Sequence, residues 1–189
     1  SDSPPERDVE WTDAGVAGAW KLVARIWDTV EPAGGALATH DPASPPEGAD
    51  TELRRATHAA IAGVTDDIDH FRFNKAIARL YEFLAAIRKA EGADAWSRAE
   101  ALSALTRLVA PFIPHLAEEC WERLGGEGFV CDAPWPKADP ALLVKSTLTL
   151  GVQVNGKRRG EIEVAAGADN PAGEKAALSD PPVARHVEG

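Results

Sequence analysis

Residues 50–89 read DTELRRATHAAIAGVTDDIDHFRFNKAIARLYEFLAAIRK, and this stretch decides the fold. Asp50 or Thr51 offers an N-cap for a helix. Behind it Leu53, Ala60, Ile61, Val64 and Ile68 recur at the spacing of one buried helical face. A second helix follows almost at once, with Phe73, Ile77, Leu80, Leu84 and Ile87 turned inward, and it stops near Gly92. Amphipathic helices joined by so short a connection fold back on each other, which predicts an antiparallel bundle.

The pattern continues on both sides. Downstream, Asp94 caps a helix that uses Trp96, Leu102, Leu105 and Val109 before Pro111 breaks it. Pro114 suits the first turn of the next helix, and Gly125 is placed as its C′ residue. Upstream, Thr12 or Asp13 caps a first helix with an inner face of Val16, Trp20, Val23, Trp27 and Val30, widened by Leu22 and Ile26. Residues 32–48, rich in Pro, Gly and Ala, read as a linker of little structure, and 127–145 as a second linker on which Trp135 docks.

Beyond it the period changes to two. Leu148, Leu150, Val152 and Val154 alternate with polar residues, Asn155-Gly156 marks a turn, and Ile162 and Val164 resume the alternation. A strict two-residue turn sets Leu150 opposite Glu161 and puts Ile162 on the wrong face, so either a three-residue loop or a bulge near Gly160 is predicted. Asn170-Pro171 opens a short helix and Asp180-Pro181 another. The expected fold is therefore mainly α: about five helices over 12–126, an extended lead-in over 1–11, and a small α+β unit over 146–189 containing a β-hairpin. A hairpin alone is marginal, so this last unit is expected to be truncated.

The 189 residues are 44% hydrophobic and 26% charged, an ordinary globular balance, and no apolar run approaches the roughly 20 residues that span a bilayer. The absence of methionine suggests a segment of a larger protein. Cys120 and Cys131 are too few for a disulfide framework or a metal cluster and read as reduced thiols of a cytoplasmic protein. A net charge of −10 argues against indiscriminate coating of nucleic acid, so any RNA contact must come from local basic stripes.

Three such stripes are present. Lys21 and Arg25 share one face of the first helix; Arg72, Lys75 and Arg79 share one on the third; Lys157, Arg158 and Arg159 follow the hairpin turn. Each could hold phosphates, although charge alone favours solvated faces paired with carboxylates such as Glu82. His115 and Glu118 form an H-x-x-E pair, but nothing supplies further metal ligands at a recognisable spacing. Cys120 lies five residues from His115, which does not place the two side by side on a helix. No catalytic residue and no metal site is assigned.

Several motifs carry a family resemblance. SPPERDVEWTDAGVAGAWKLVARIW at the start resembles the junction between the catalytic core and the helical bundle of bacterial leucyl-tRNA synthetases. Thr65-Asp66-Asp67-Ile68 with Phe73-Asn74-Lys75-Ala76-Ile77 resembles that bundle's second and third helices. Pro111-Phe112-Ile113-Pro114-His115-Leu116-Ala117-Glu118-Glu119 with Trp121 is similar to a segment shared among class I synthetases for leucine, isoleucine and valine. Ala133-Pro134-Trp135-Pro136 and Val152-Gln153-Val154-Asn155-Gly156-Lys157 are the most leucine-specific pieces.

The resemblance implies a class I anticodon-binding-type bundle followed by the start of a C-terminal domain. The parent it implies is a monomer that ligates leucine to tRNA-Leu with ATP and Mg. Activation belongs there to a separate Rossmann core with His-Ile-Gly-His-like and Lys-Met-Ser-Lys-Ser-like signatures, and editing to an inserted domain. Neither is present here, so the chain is expected to be catalytically inactive, without a cofactor, and to partner tRNA-Leu and those absent domains. Such bundles resemble anticodon readers but hold the tRNA body, which implies contacts to phosphate and sugar. The alternatives are a structural brace of the synthetase, packed on the core through Trp11 and the lead-in, and the equivalent bundle of a valyl or isoleucyl enzyme.

Overall fold

The structure is a computed structural model that describes residues 12–144, 147–154, 157–165 and 170–179. The lead-in with Trp11, the turn residues Asn155-Gly156 and the helix expected at Asp180-Pro181 lie outside the described residues. The chain divides into two units, the first ending at Leu143 and the second beginning at Val144.

The first unit is built from α1 (Asp13–Val30), a 3-10 turn (Glu31–Ala33), α2 (Thr51–Asp69), α3 (Phe73–Lys89), α4 (Ala95–Val109), α5 (Pro114–Leu124) and a single turn, α6 (Pro140–Leu143). Local chemistry sets the ends. Asp50 Oδ1 accepts the Leu53 N–H at 2.8 Å and Asp94 Oδ1 accepts the Ser97 N–H at 2.9 Å, each satisfying a donor the first turn would leave orphaned. Thr12 caps α1 in the same way through the Gly15 N–H. Pro114 opens α5, and Gly125, at φ 81°, closes it in the left-handed conformation.

The α2–α3 corner closes differently. The Arg72 N–H reaches back to the Asp67 carbonyl at 2.7 Å and the Phe71 N–H to that of Ile68 at 2.9 Å. This pair of bonds is a Schellman closure, with Phe71 at φ 56° where glycine usually sits. The corner folds α3 back along α2, so that Arg79 lies over Gly63 and Ala86 comes beside Ala56. Helix α4 then runs parallel to α2: Asp50 meets Asp94 and Ser97, while Arg54 and His58 meet Glu100. Helix α4 is buried almost all round, and Leu102, Leu105 and Leu108 are wholly enclosed. It forms the axis of the bundle.

The sequence pattern misjudged α1. Val16 and Trp20 are 44% and 69% exposed, while Leu22, Ile26, Thr29 and Val30 are buried. Burial is confined to the C-terminal half of α1; in the first half the Tyr81 hydroxyl of α3 donates to the Gly18 carbonyl at 3.3 Å, but Val16 and Trp20 stay uncovered.

The expected linker at 32–48 is also structured. Ala33, Ala36 and Leu37 pack on the core, and the Gly35 and Leu37 N–H groups donate to the Arg123 and Leu124 carbonyls at 3.0 and 2.9 Å. Those carbonyls end α5 and have no partner within their own helix, so the segment binds because it satisfies them. The Arg123 guanidinium returns the contact, donating to the Glu31 carbonyl and carboxylate at 2.9 and 3.0 Å.

Residues 127–143 form a second strap. Glu118 accepts the Val130 and Cys131 N–H groups, the Asp139 N–H donates to His58 Nδ1, and Trp135 docks by donating to Thr65 Oγ1 at 2.8 Å.

In the second unit β1 (Thr147–Val154) pairs antiparallel with β2 (Lys157–Ala165), followed by α7 (Asn170–Ser179). Val154 opposes Lys157 and Gln153 opposes Arg158, but Val152 opposes Gly160, so Arg159 is the extra residue of a bulge. The bulge sets Leu150 opposite Ile162 instead of Glu161, as the apolar parity required. Deleting Arg159 is therefore expected to preserve the Leu150–Ile162 match, whereas deleting Glu161 as well brings Glu163 opposite Leu150. Hydrogen exchange of the β1–β2 amides checks this: protection should survive the first deletion and vanish in the second.

Candidate nucleic-acid interface

The basic residues fall into two kinds. Lys21 and Arg25 are exposed on α1 and Lys75 is exposed on the first turn of α3. Among the described residues, none of the three side chains makes an ion pair. Their exposure suits contacts to a phosphate backbone.

Arg72 and Arg79 behave otherwise. Arg72 precedes α3 as its N-cap residue, and its Nε donates to Asp67 Oδ1 at 2.8 Å. Arg79 Nε donates to the other oxygen, Oδ2, at 2.6 Å, and Arg72 also pairs with Asp66. The partner is thus Asp67, not Glu82. Asp67 is buried, with its side chain 1% exposed, while the arginine side chains remain 34% and 45% exposed. Burial pushes the Asp67 carboxyl upward, but the hydrogen bonds and charges of Arg79 and Arg72 outweigh it and hold the group below the usual carboxylate range. One edge of each guanidinium is committed to the fold, and only the remainder faces out.

Lys157, Arg158 and Arg159 open β2, with Arg159 at the bulge. They belong to the second unit, so the structure does not join them to the bundle's cations.

The other candidates lose their chemistry. His115 is exposed on α5, and Glu118 holds the second strap. Among the described residues no group of three His, Cys, Asp or Glu is placed to hold a metal ion. Cys120 is buried, and burial, with the charge of Glu119, pushes its thiol up to about 11. A thiol so protonated at neutral pH is a poor nucleophile.

One feature escaped the sequence reading. An open groove of about 930 Å³ lies between α2, α4 and the two straps, with His40, His58, Glu100 and Arg107 on its polar side and Trp121, Phe129 and Trp135 on its aromatic side. Arg107 was its available signal: a single basic side chain within the buried run of residues 101–109 on α4.

The first unit is thus an all-helical bundle that carries exposed cations away from its core. Residues 50–175 match the family described as the anticodon-binding domain of tRNA ligase, and the chain belongs to that family. Its relatives are leucine–tRNA ligases. The chain is 54% identical over its whole length to that of Caulobacter vibrioides, and 50% identical to that of Maricaulis maris. It spans 22% of the length of each of these ligases. A solved structure, the ternary complex of an Agrobacterium radiobacter LeuRS with tRNA and LeuAMS, is similar over 95% of this chain and 24% of that one, with a TM-score of 0.80 and 26% identity. No helix among the described residues is long and apolar enough to cross a membrane.

Proposed function

We propose that this chain is the tRNA-positioning portion of a leucine–tRNA ligase, with Lys21, Arg25 and Lys75 holding phosphates of the tRNA body. The family match over residues 50–175 carries this reading. The three exposed cations with no carboxylate partner among the described residues support its chemical part. Arg72 and Arg79 contribute with their outer N–H groups, and Lys157, Arg158 and Arg159 supply phosphate contacts of their own on the second unit. The parent enzyme ligates leucine to tRNA-Leu using ATP and Mg bound in its catalytic portion, acts as a monomer, and works in the cytoplasm. This chain brings no catalytic group.

Titration against labelled tRNA-Leu and a short-variable-arm tRNA, at two salt concentrations, tests the proposal. Lys21→Ala, Arg25→Ala and Lys75→Ala together should weaken binding and reduce the slope of log affinity against log salt by about 2–3, roughly one for each phosphate no longer neutralised. In the full enzyme the same change should raise KM for tRNA and spare ATP–pyrophosphate exchange. Unchanged salt dependence would remove these three residues from the interface. Arg72 and Arg79 are unsuitable for this test, because neutralising either leaves Asp67 short of a partner and confounds binding with folding.

A second reading, a structural brace for the synthetase, is favoured by the exposed Val16 and Trp20 on α1, an apolar surface that another part of the enzyme could cover.

A further inference from the structure

Side chains of the bundle hold the second strap at several points. Glu118 accepts the Val130 and Cys131 N–H groups, Arg107 donates to the Pro134 carbonyl at 3.2 Å, and Trp135 donates to Thr65 Oγ1. The bond nearest the end of the strap differs in kind: the Asp139 N–H donates to His58 Nδ1 at 2.9 Å. A backbone N–H has no lone pair to offer, so this Nδ1 is the bare, accepting nitrogen of the ring. The ring proton therefore sits on Nε2, which donates to Glu100 Oε1 at 3.2 Å. The two contacts fix the tautomer, and with Nδ1 accepting the ring is neutral.

His70 supplies the contrast. Its Nδ1 lies 2.7 Å from the Asp66 carbonyl oxygen, where the nitrogen must donate, so that bond survives protonation of the ring. At His58 the polarity is reversed. A proton on Nδ1 sets one N–H against another and removes the acceptor that Asp139 uses. The charges around the ring pull in both directions. Burial pushes the Glu100 carboxyl up, but the bonds from His58 and Arg54 outweigh it and hold the group below the usual carboxylate range. An ionised Glu100 at Nε2 favours the protonated ring, and Arg54 on the same carboxylate opposes it. From the strap come Lys137 and the Asp139 carboxylate, which accepts the Ala141 N–H at 2.9 Å. The groove that His58 lines adds Arg107 and His40 on the opposing side, with Glu127 and Asp132 on the favouring one.

We propose that His58 is a proton-operated latch on the end of the second strap: the neutral ring holds Asp139, and the protonated ring releases it. Asp139 stands at the start of α6, the last element of the first unit, and the second unit begins at Val144. The latch therefore sets how much of the chain before Val144 is tied to α2 and how much is free linker. Its direction follows from the bond. It is closed while Nδ1 is bare and opens as pH falls through the range in which imidazoles ordinarily take up a proton, about pH 5–8. The guanidinium, indole and hydroxyl that hold Pro134 and Trp135 do not change charge in that range, so the strap stays docked upstream of the latch. The inference uses none of the cation stripes and stands apart from the tRNA-positioning reading.

The test is an NMR titration of the isotopically labelled 189-residue chain from about pH 8 to about pH 5. At the upper end the His58 ring should show a bare Nδ1 and a protonated Nε2. On acidification the Asp139 amide resonance should move in step with the ring. Its protection from hydrogen exchange, corrected for the intrinsic effect of pH, should fall roughly 2- to 10-fold, the worth of one ordinary hydrogen bond. The Trp135 indole N–H should keep its position. His58→Asn sets an oxygen that does not titrate near the place of Nδ1, and should leave Asp139 protected at both ends of the range. His58→Gln reaches toward Glu100 instead and should leave Asp139 unprotected at both. Both variants keep His40, so a pH step that survives in the asparagine variant belongs to another group and overturns the inference. So does a ring that carries its proton on Nδ1 at the upper end, or an Asp139 amide that does not respond when the ring is protonated. These last two readings come from the wild type and decide the matter even where a variant fails to fold.

Discussion

Replacing Asp67 with asparagine is expected to destabilise the bundle by roughly 2–3 kcal/mol at neutral pH. The carboxylate accepts from two guanidiniums through separate oxygens, and Asn offers one oxygen and turns an NH2 toward the second donor. Removing one member of a fully buried pair costs about 3–5 kcal/mol. The expectation is set lower because both arginines keep one side in water, where screening weakens the pair. The same substitution should change the response to acid. The folded-state pKa of Asp67 lies below its unfolded value near 3.8, so its contribution is complete above that value and disappears as pH falls through the lower folded one. Denaturant titrations at pH 7 and at steps below pH 5 should show the wild type losing its advantage and the two curves converging in acid. The wild-type decline should persist in part, because Glu100 and Asp94 are also held below their usual range. Equal stability at pH 7 would show that the Asp67 pair contributes nothing net.

The second large effect is expected at Gly126. A Cβ placed there would stand 2.2 Å from Trp121 Cε2 and 2.5 Å from its Nε1. Trp121 packs with Ala117 and Val130, and its Nε1–H donates to the Glu127 carbonyl at 3.2 Å, so pushing the indole toward the groove it also lines gives up that packing and that bond. Gly126→Ala must therefore shift either the core or the start of the second strap. Such overpacking costs about 1–3 kcal/mol, or on the order of 2–12 °C in Tm for a chain of this size. Gly18→Ala is the control, since nothing lies within 4 Å of its Cβ position and alanine is the better helix former. Calorimetry should find Gly126→Ala melting well below the wild type and Gly18→Ala at or slightly above it. A Gly126→Ala variant that melts with the wild type would mean that the strap yields freely.

Where local chemistry decides structure, the residues could be read directly. Asp50, Asp94, Pro114 and Gly125 each set a helix end through an interaction a few residues away. Parity required one extra residue before Ile162, as a three-residue loop or as a bulge near Gly160, and the structure uses the bulge, at Arg159. The straps were illegible for the opposite reason. They bind largely through backbone groups to partners far along the chain, and a Pro/Gly/Ala-rich segment displays no period that announces such contacts. The first half of α1 looked buried because amphipathic spacing records which face is apolar, not whether a neighbour reaches it. Asp67 left a trace that was passed over. It falls three residues after Val64 on the buried face of α2, where a carboxylate requires cations, and Arg72 and Arg79 were the nearest at hand. The groove was the least legible feature, since its lining comes from four separate stretches of chain that only the folded bundle brings together.

The Glu31–Arg123 contact has a consequence for the order in which the molecule assembles. It joins residues 92 positions apart, whereas the α2–α3 corner closes over five to twelve. Closing the longer loop sacrifices more chain entropy, and its contacts return little until α5 already stands in place. The helical hairpin can therefore nucleate locally, while the first strap is a latecomer that seals a nearly finished bundle. Any event that loosens α5 frees this seam before it disturbs the hairpin.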